Sequence, residues 1–460
     1  MDIIALLVCL DQSVDKTTVK QLSHIIMAML TMTGRVTMLG ISRWSEQGGS
    51  YRSVQRFFAK TLPWASMSWL FVRHHLLRAE EEYIVAGDET VVSKAGKESF
   101  GLDRFFSSIY GKAVPGLAFF ALSLVSVSQR RSYPLMVEQR QRTAEEKREA
   151  RCKPKKQKRA PSGTGDQKGP RGLPKRRPGR PKGNKNQDKS QIQWTSELHL
   201  IQTMLQKLMA LVGNGCSLAY LVMDGHFGNN NALQMVRQAT SLHLISKLRH
   251  DAALYFVYAG EQKRFGPRRR YGSKLTYQAI PEQYQVATYR EEKIQTAIYQ
   301  ATLLHKSFAG PLNVVIIVKT HLTSGAHAHT VLFSSDLALS YTKLIDYYSL
   351  RFQLEFNFRD AKQFWGLEDF MNVKQTSVAN AVNLSLFMVN LSHYLIQQMR
   401  LDDPHTSLLD LKALFRGRRY ALDTLNLLPE SPSSFISEQI VRIVTALGRI
   451  HRRSPALFNP

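Results

Sequence analysis

Residues 140 to 189 constrain the chain more than any other stretch, because they hold 19 Lys or Arg, 5 Asp or Glu and no aromatic residue. A segment with that much like charge and so little apolar surface does not offset the entropy of ordering its backbone, so residues 140–190 are expected to be a disordered basic insertion. What folds must be assembled from the residues on either side. The segment supplies +14 of the chain's formal net charge of +26, and a surplus of this size favours a polyanionic partner, nucleic acid before a membrane surface. No run of 18 or more apolar residues appears. The apolar stretch Ile3 to Leu10 follows Asp2, is too short to span a bilayer and lacks a basic leader, so a packing helix is expected there and no membrane association. Three cysteines, Cys9, Cys152 and Cys216, are too few and too scattered for a disulfide framework or a zinc site, and point to a reducing, cytoplasmic compartment.

Inside the basic segment lies Lys175-Arg176-Arg177-Pro178-Gly179-Arg180-Pro181-Lys182. Its Gly-Arg-Pro centre resembles the AT-hook, an extended peptide that lays arginine along the narrow minor groove of A·T-rich DNA. Arg177, Gly179, Arg180 and Pro181 are the DNA-binding residues under that resemblance. A generic phosphate-binding tract is the other reading, and both take nucleic acid as partner.

On the N-terminal side, residues 1–75 carry helical periodicity, with Ser42 and Ser53 as expected helix caps and Arg35, Arg43, Arg52, Arg56 and Lys60 on a basic side. They read as a helical DNA-binding head or as an ordinary helical subdomain with solvated arginines. In residues 76–139 a short strand from Tyr83 to Ala86 runs into Gly87-Asp88, and two more strands are expected at Phe105 to Tyr110 and Leu117 to Val127. An acid at a strand end is most often a turn residue, so Asp88 alone decides nothing. In residues 191–249 the pattern gives a helix over Leu198 to Val212 and an apolar strand from Leu218 to Met223 that stops at Asp224. A helix over Asn229 to Ala239 and a strand over Leu242 to Leu248 follow. The fold class is therefore α/β, a mixed sheet with Asp88 on its first strand and Asp224 ending the fourth.

Residues 250–336 read as a β-rich insertion whose basic turns, Lys263-Arg264 and Arg268-Arg269-Arg270, either touch a phosphate backbone or are solvated hairpin tips. His321, His327 and His329 lack the cysteine or paired acid of a zinc site. Residues 376–460 are helical and basic, beginning with a long apolar helix over 375–399 that can cover the sheet.

Between these, residues 337–375 carry YSLRFQLEFNFRDAK. At 100° per residue, Tyr348, Arg351, Glu355 and Lys362 fall within about 60° of one another on a helix, with Phe352, Phe356 and Phe364 to one side as expected core anchors. A carboxylate among Arg, Lys and Tyr suits a metal-binding acid beside a phosphate-bearing polymer, while a salt-bridged surface face produces the same stripe.

Asp88, Asp224 and Glu355 form a trio of hard anionic ligands of the kind Mg²⁺ accepts. With the stripe, they resemble the DDE transposases of bacterial insertion sequences, in the branch whose signature is Tyr-x2-Arg-x3-Glu-x6-Lys, matched by Tyr348, Arg351, Glu355 and Lys362. The resemblance covers roughly residues 80 to 375. It implies an RNase H-like catalytic domain with flanking helices and a β-rich insertion before the last catalytic helix, with Asp88, Asp224 and Glu355 as catalytic and metal-binding acids. Mg²⁺ is the implied cofactor, with Mn²⁺ as substitute. Tyr348, Arg351 and Lys362 would bind phosphates at transposon ends, and an aromatic such as Trp365 would either stack on a flipped base or pack in the core. The implied reaction is hydrolysis to expose a 3′-OH, then attack of that 3′-OH on target DNA by a homodimer on DNA, in a nucleoid-associated setting. Two departures stand out. Asp224 sits in Asp-Gly-His-Phe, with the family's glycine displaced, and Asp88 lies 136 positions before Asp224, a spacing the basic segment lengthens. The alternatives are a catalytically idle DNA-binding descendant and a metal-dependent nuclease without strand transfer.

Overall fold

A computed structural model describes residues 2–45, 49–107, 111–146, 148, 188–430 and 432–451. The strand that organises it is β1 (Tyr83–Ser93), whose first five residues are all buried. On one side β1 pairs antiparallel with β3 (Lys112–Ser126), on the other parallel with β5 (Leu218–Met223). A parallel neighbour requires a crossover, and α6 (Ser196–Val212) precedes β5, while α7 (Asn230–Ala239) carries the chain on to β6 (His243–Leu248), parallel to β5. β2 (Asp103–Ser107) and β4 (Arg131–Arg140) both pair with β3. The order β3-β1-β5-β6, with β4 on the outer side of β3, is a mixed sheet consistent with an RNase H-like fold.

Three expectations need correction. β1 does not end at Ala86. Gly87 is no turn, because a Cβ there would lie 2.9 Å from the Phe120 ring, and beyond it Thr90 and Val92 re-enter the interior. β4 was not foreseen, since Pro134 breaks its pattern; the strand takes the proline at an irregularity in its pairing with Leu122 and Ser123, and the Pro134 carbonyl accepts a 2.7 Å hydrogen bond from Asn390. Asp224 therefore ends the fifth strand. Third, the β-rich stretch prolongs the same sheet. β12 (His327–Ser334) pairs antiparallel with β6, and β11 (Pro311–His321), β10 (Ile294–His305), β7 (Leu254–Val257) and β8 (Tyr271–Lys274) follow outward, with β9 (Gln285–Glu291) also on β10.

The N-terminal helices share one continuous core with the C-terminal ones. They are α1 (Ile3–Leu7), α2 (Lys16–Thr31), α3 (Met38–Trp44), α4 (Tyr51–Ala59) and α5 (Trp64–His75). α3 and α4 are capped by Thr37 and Ser50; Ser42 lies inside α3, and Ser53 is in the first turn of α4, donating its N–H to Ser50. α10 (Gln375–Met399) packs against α4 and α5, and α11 (Leu408–Leu425) against α2, while α8 (Tyr341–Leu350) and α9 (Phe352–Phe364), which carry the site, lie against the sheet and α12 (Ser434–Ala446) packs on α11. Trp365 is fully buried with the Lys412 ammonium 4.8 Å above its ring, so it is a core residue and does not face DNA. No helix among the described residues is long and apolar enough to cross a membrane.

Asn380 on α10 joins the two helical regions, accepting from Trp64 Nε1 at 2.8 Å and donating to the carbonyls of Phe58 at 2.8 Å and Lys60 at 2.7 Å. Asn380→Ala is expected to strand a buried indole N–H and two carbonyls, lowering stability by about 3 kcal/mol with the urea m-value unchanged. Denaturant unfolding followed by tryptophan fluorescence measures it.

Candidate active site

Parallel pairing of β1 with β5 aligns Gly87 with Met223, and the next residue on each strand is an acid. Asp88, inside β1, and Asp224, just past the end of β5, thus stand side by side on neighbouring strands. After Asp224 the chain turns tightly: Asp224 Oδ1 accepts the His226 N–H at 3.1 Å, and its carbonyl accepts from Ser246 Oγ at 2.6 Å. A Cβ on Gly228 would sit 2.0 Å from the Lys247 carbonyl, so only glycine allows the turn to pass this close to β6. That contact accounts for the glycine following Phe227 in the Asp-Gly-His-Phe-Gly sequence.

The third wall is helical but not one helix. α8 and α9 meet at Arg351, whose backbone stays helical (φ −53°, ψ −34°) while its N–H reaches Tyr348 O at 3.3 Å, an i→i+3 step. The buried face beyond the junction is Leu354, Phe358 and Ala361, whereas Phe352 and Phe356 are 49% and 46% exposed and do not anchor it. The outward phenylalanines carry cations: the guanidinium of Arg351 is 4.9 Å from the Phe352 ring and that of Arg359 is 5.0 Å from the Phe356 ring.

Arg351, 8% exposed, binds two of the three acids at once: Nη1 donates to Asp88 Oδ2 and Nη2 to Glu355 Oε1 at 3.1 Å. Burial pushes the Asp88 carboxyl up to about 6; Arg351 opposes the rise, and Asp224 and Glu355 add to it. Tyr348 sits beside Arg351 and Asp224, and burial raises its phenol. Lys362 Nζ donates to Val91 O at 3.0 Å and pairs with Glu368 at 3.2 Å. Asp88, Asp224, Arg351, Glu355 and Lys362 line one open cleft of about 960 Å³, together with Arg140, Arg142 and Arg359.

A family model described as DDE superfamily endonuclease matches residues 9–307 of this chain. The chain belongs to that family. No curated protein matches it. The family match contains Asp88 and Asp224 and stops before α8, so Glu355, Arg351 and Lys362 join the site through the geometry of the cleft.

This member of the family also holds a network that sequence reading missed. Arg140 Nη1 bonds Glu89 at 2.8 Å and Glu197 at 3.0 Å, and Glu197 accepts or shares a proton with His226 Nε2 at 3.2 Å. The hydrogen bond to Glu197 raises the His226 imidazole. Arg140 had been counted with the basic segment, yet it closes β4. The one available signal was Glu89 next to Asp88; Glu197 and Arg140 meet only in three dimensions. The AT-hook-like residues Arg177, Gly179, Arg180 and Pro181 lie outside the described residues.

The donor chemistry of the three carboxylates fits a hard divalent cation. In the arrangement seen, the Arg351 guanidinium stands between Asp88 and Glu355, and among the described residues no three His, Cys, Asp or Glu side chains are grouped closely enough to hold a metal.

Proposed function

We propose that this protein is a DNA transposase that cleaves the ends of a mobile element and joins the freed 3′-OH to target DNA. The observation that carries the reading is the placement of Asp88 and Asp224, from paired strands, in one cleft with Glu355, with Arg351 bridging Asp88 and Glu355 and with Arg140, Arg142, Arg359 and Lys362 among the other lining residues. Asp88, Asp224 and Glu355 are the residues that would hold Mg²⁺, or Mn²⁺ in its place. The bound ion supplies charge neutralisation at the phosphate and makes water a competent nucleophile at neutral pH.

The chain's own residues do the rest. Arg351 is placed to exchange its carboxylate partners for a phosphate, freeing Asp88 and Glu355 as DNA enters. Lys362 and Tyr348 flank the same point and fix the scissile phosphodiester against the acids. Cleavage forms a bond from water oxygen to phosphorus and breaks the bond to the 3′ oxygen, which leaves as the 3′-OH. Strand transfer repeats the displacement with that 3′-OH as nucleophile and the target's 3′ oxygen as leaving group, so a single site serves both steps. Two ends must be joined, so a homodimer on DNA follows from the reaction; the helical head and the AT-hook-like residues are assigned to DNA binding.

The test is incubation of the purified protein with Mg²⁺ and linear DNA carrying the element's inverted ends. Nicking confined to the ends, with joined product, both lost in Glu355→Gln, is the expected result. Nicking of all sequences alike would mean a nuclease without strand transfer, and binding without cleavage an idle descendant. Deleting residues 149–187, which spares Arg140 and Glu146, is expected to lower DNA affinity and flatten its salt dependence while end cleavage at low salt persists. Loss of cleavage at low salt would show that the segment is part of the catalytic unit.

A further inference from the structure

Next to the active-site cleft lies a second concavity of about 510 Å³, and the two share Glu197, His226 and Phe227 as a common wall. Asn230 ties its rim together, donating to the Lys189 carbonyl at 2.7 Å and accepting the Ala309 N–H at 3.1 Å. From there the hydrogen bonds run outward: Arg270 Nη2 donates to the Ala309 carbonyl at 3.2 Å, and Lys189 Nζ reaches the Tyr271 hydroxyl at 3.3 Å. The loop between β7 and β8, a basic turn that the active site does not use, is thus tied at its Arg270 end to the residues beside this groove, though it does not line it.

The span Gln262 to Arg270 holds Lys263, Arg264, Arg268, Arg269 and Arg270 and no acid. None of the five is ion-paired with a described carboxylate. The loop is nonetheless braced. The Gln262 amide donates to Arg269 O at 2.9 Å and accepts the Arg269 N–H at 2.8 Å, while the Arg269 guanidinium lies 4.6 Å from the Tyr258 ring. At the loop's crest Phe265 is 83% exposed. A large ring held in water on a braced turn, with unpaired cations on both sides, has the composition of an apolar wedge flanked by phosphate ligands. Both described ends of the basic segment are also fastened here. Glu146 accepts from Ser196 Oγ at 2.8 Å beside the groove-lining Thr195 and Glu197, and Lys189 is itself on the rim.

We propose that the groove and the Gln262–Arg270 loop seat the duplex arm running away from the cleavage point, with Arg264 and Arg268 on its phosphates and Phe265 pressed into a base step. The inference rests on the reading of the cleft as a DNA-cleaving site. Duplex DNA is the occupant because the groove adjoins that cleft, Lys189 and the amide side chains of Asn229, Asn230 and Asn231 line it, and the five cations of Gln262 to Arg270 outnumber the nearby acids Asp188, Glu197 and Glu261.

The test is fluorescence anisotropy of the full chain with two duplexes sharing one end, about 10 and about 30 base pairs long, the shorter filling only the cleft. Arg264→Ala with Arg268→Ala is expected to weaken the long duplex about tenfold and to reduce the slope of log affinity against log salt by about 2, leaving the short duplex unaffected. Phe265→Ala is expected to weaken the long duplex and to abolish the fluorescence change of 2-aminopurine placed in the arm, and Phe265→Trp to restore both. Equal losses on both lengths, or an unchanged 2-aminopurine signal in Phe265→Ala, would overturn the groove assignment. Wild-type protein that binds neither duplex would overturn the transposase reading instead, so the two failures are distinct.

Discussion

Arg351→Gln is expected to bind Mn²⁺ at least about tenfold more tightly than the wild-type protein in the absence of DNA, and to lose DNA cleavage. The guanidinium occupies oxygens of Asp88 and Glu355, the first and third acids, and adds a positive charge between them. A cation entering the site must displace or outlast it. Two unit charges about 4 Å apart interact by about 4 kcal/mol near a protein surface, so removing one repulsive partner accounts for a tenfold change and more. Cleavage is lost because the same side chain is the phosphate ligand closest to the acids. Arg351→Lys separates the two contributions: it keeps the charge and loses the two-pronged bridge, and its Mn²⁺ affinity is expected to lie between the others. Titration with Mn²⁺ followed by electron paramagnetic resonance, at pH 8 where Asp88 is ionised, reads all three. Equal Mn²⁺ affinity in wild type and Arg351→Gln would mean that the bridge does not oppose the metal. Adding DNA is expected to tighten Mn²⁺ binding in the wild type and much less in Arg351→Gln, because only the wild type has a guanidinium for the phosphates to draw away.

Parts of this site were legible in one dimension for definite reasons. Leu218 to Met223 is an unbroken apolar run between Ser217 and Asp224, so the strand and its terminal acid are read together, and the structure places β5 over those residues. The helix over 375–399 is found with the same bounds, because its uninterrupted length leaves no other reading. Asp88 was harder. Gly87 reads as a turn in sequence, and only the Phe120 ring packed over it shows that the strand continues. The wheel drawn from Tyr348 gathered Arg351, Glu355 and Lys362 into one cleft wall, but of its three expected core anchors only Phe364 packs against the core while Phe352 and Phe356 are exposed, since angular spacing does not say which neighbours a helix meets. Arg140 was lost to composition: counted with 18 other basic residues it looked solvated, while its pairing with Glu89 and Glu197 depends on α6 packing beside the end of β4. Charge networks between distant elements have no period, and a sequence read alone does not reveal them.

Asp88→Asn is expected to reduce cleavage by at least about a thousandfold and, at the same time, to stabilise the fold at neutral pH. The two effects have one cause. Burial raises the Asp88 carboxyl from its ordinary value of 3.8 to about 6, even with Arg351 opposing the rise, so the folded state holds its proton more tightly than the unfolded chain does. Stability from this group is therefore fully present below pH 3.8, falls between 3.8 and about 6, and stays lower above that. A rise of about two pH units corresponds to about 3 kcal/mol of stability withheld at pH 7, the energetic cost of keeping a carboxylate ready inside the cleft. Asparagine has no proton to lose. Urea unfolding of both proteins from pH 4 to 8 is expected to give curves that separate between pH 4 and about 6 and keep a constant gap above it, with the variant the more stable there. Parallel curves would show that Asp88 is not the strained acid. Activity runs in the opposite sense to stability: wild-type cleavage is expected to increase as pH rises through about 6, since the ionised form of Asp88 is the one that ligates a cation and the protonated form competes against it.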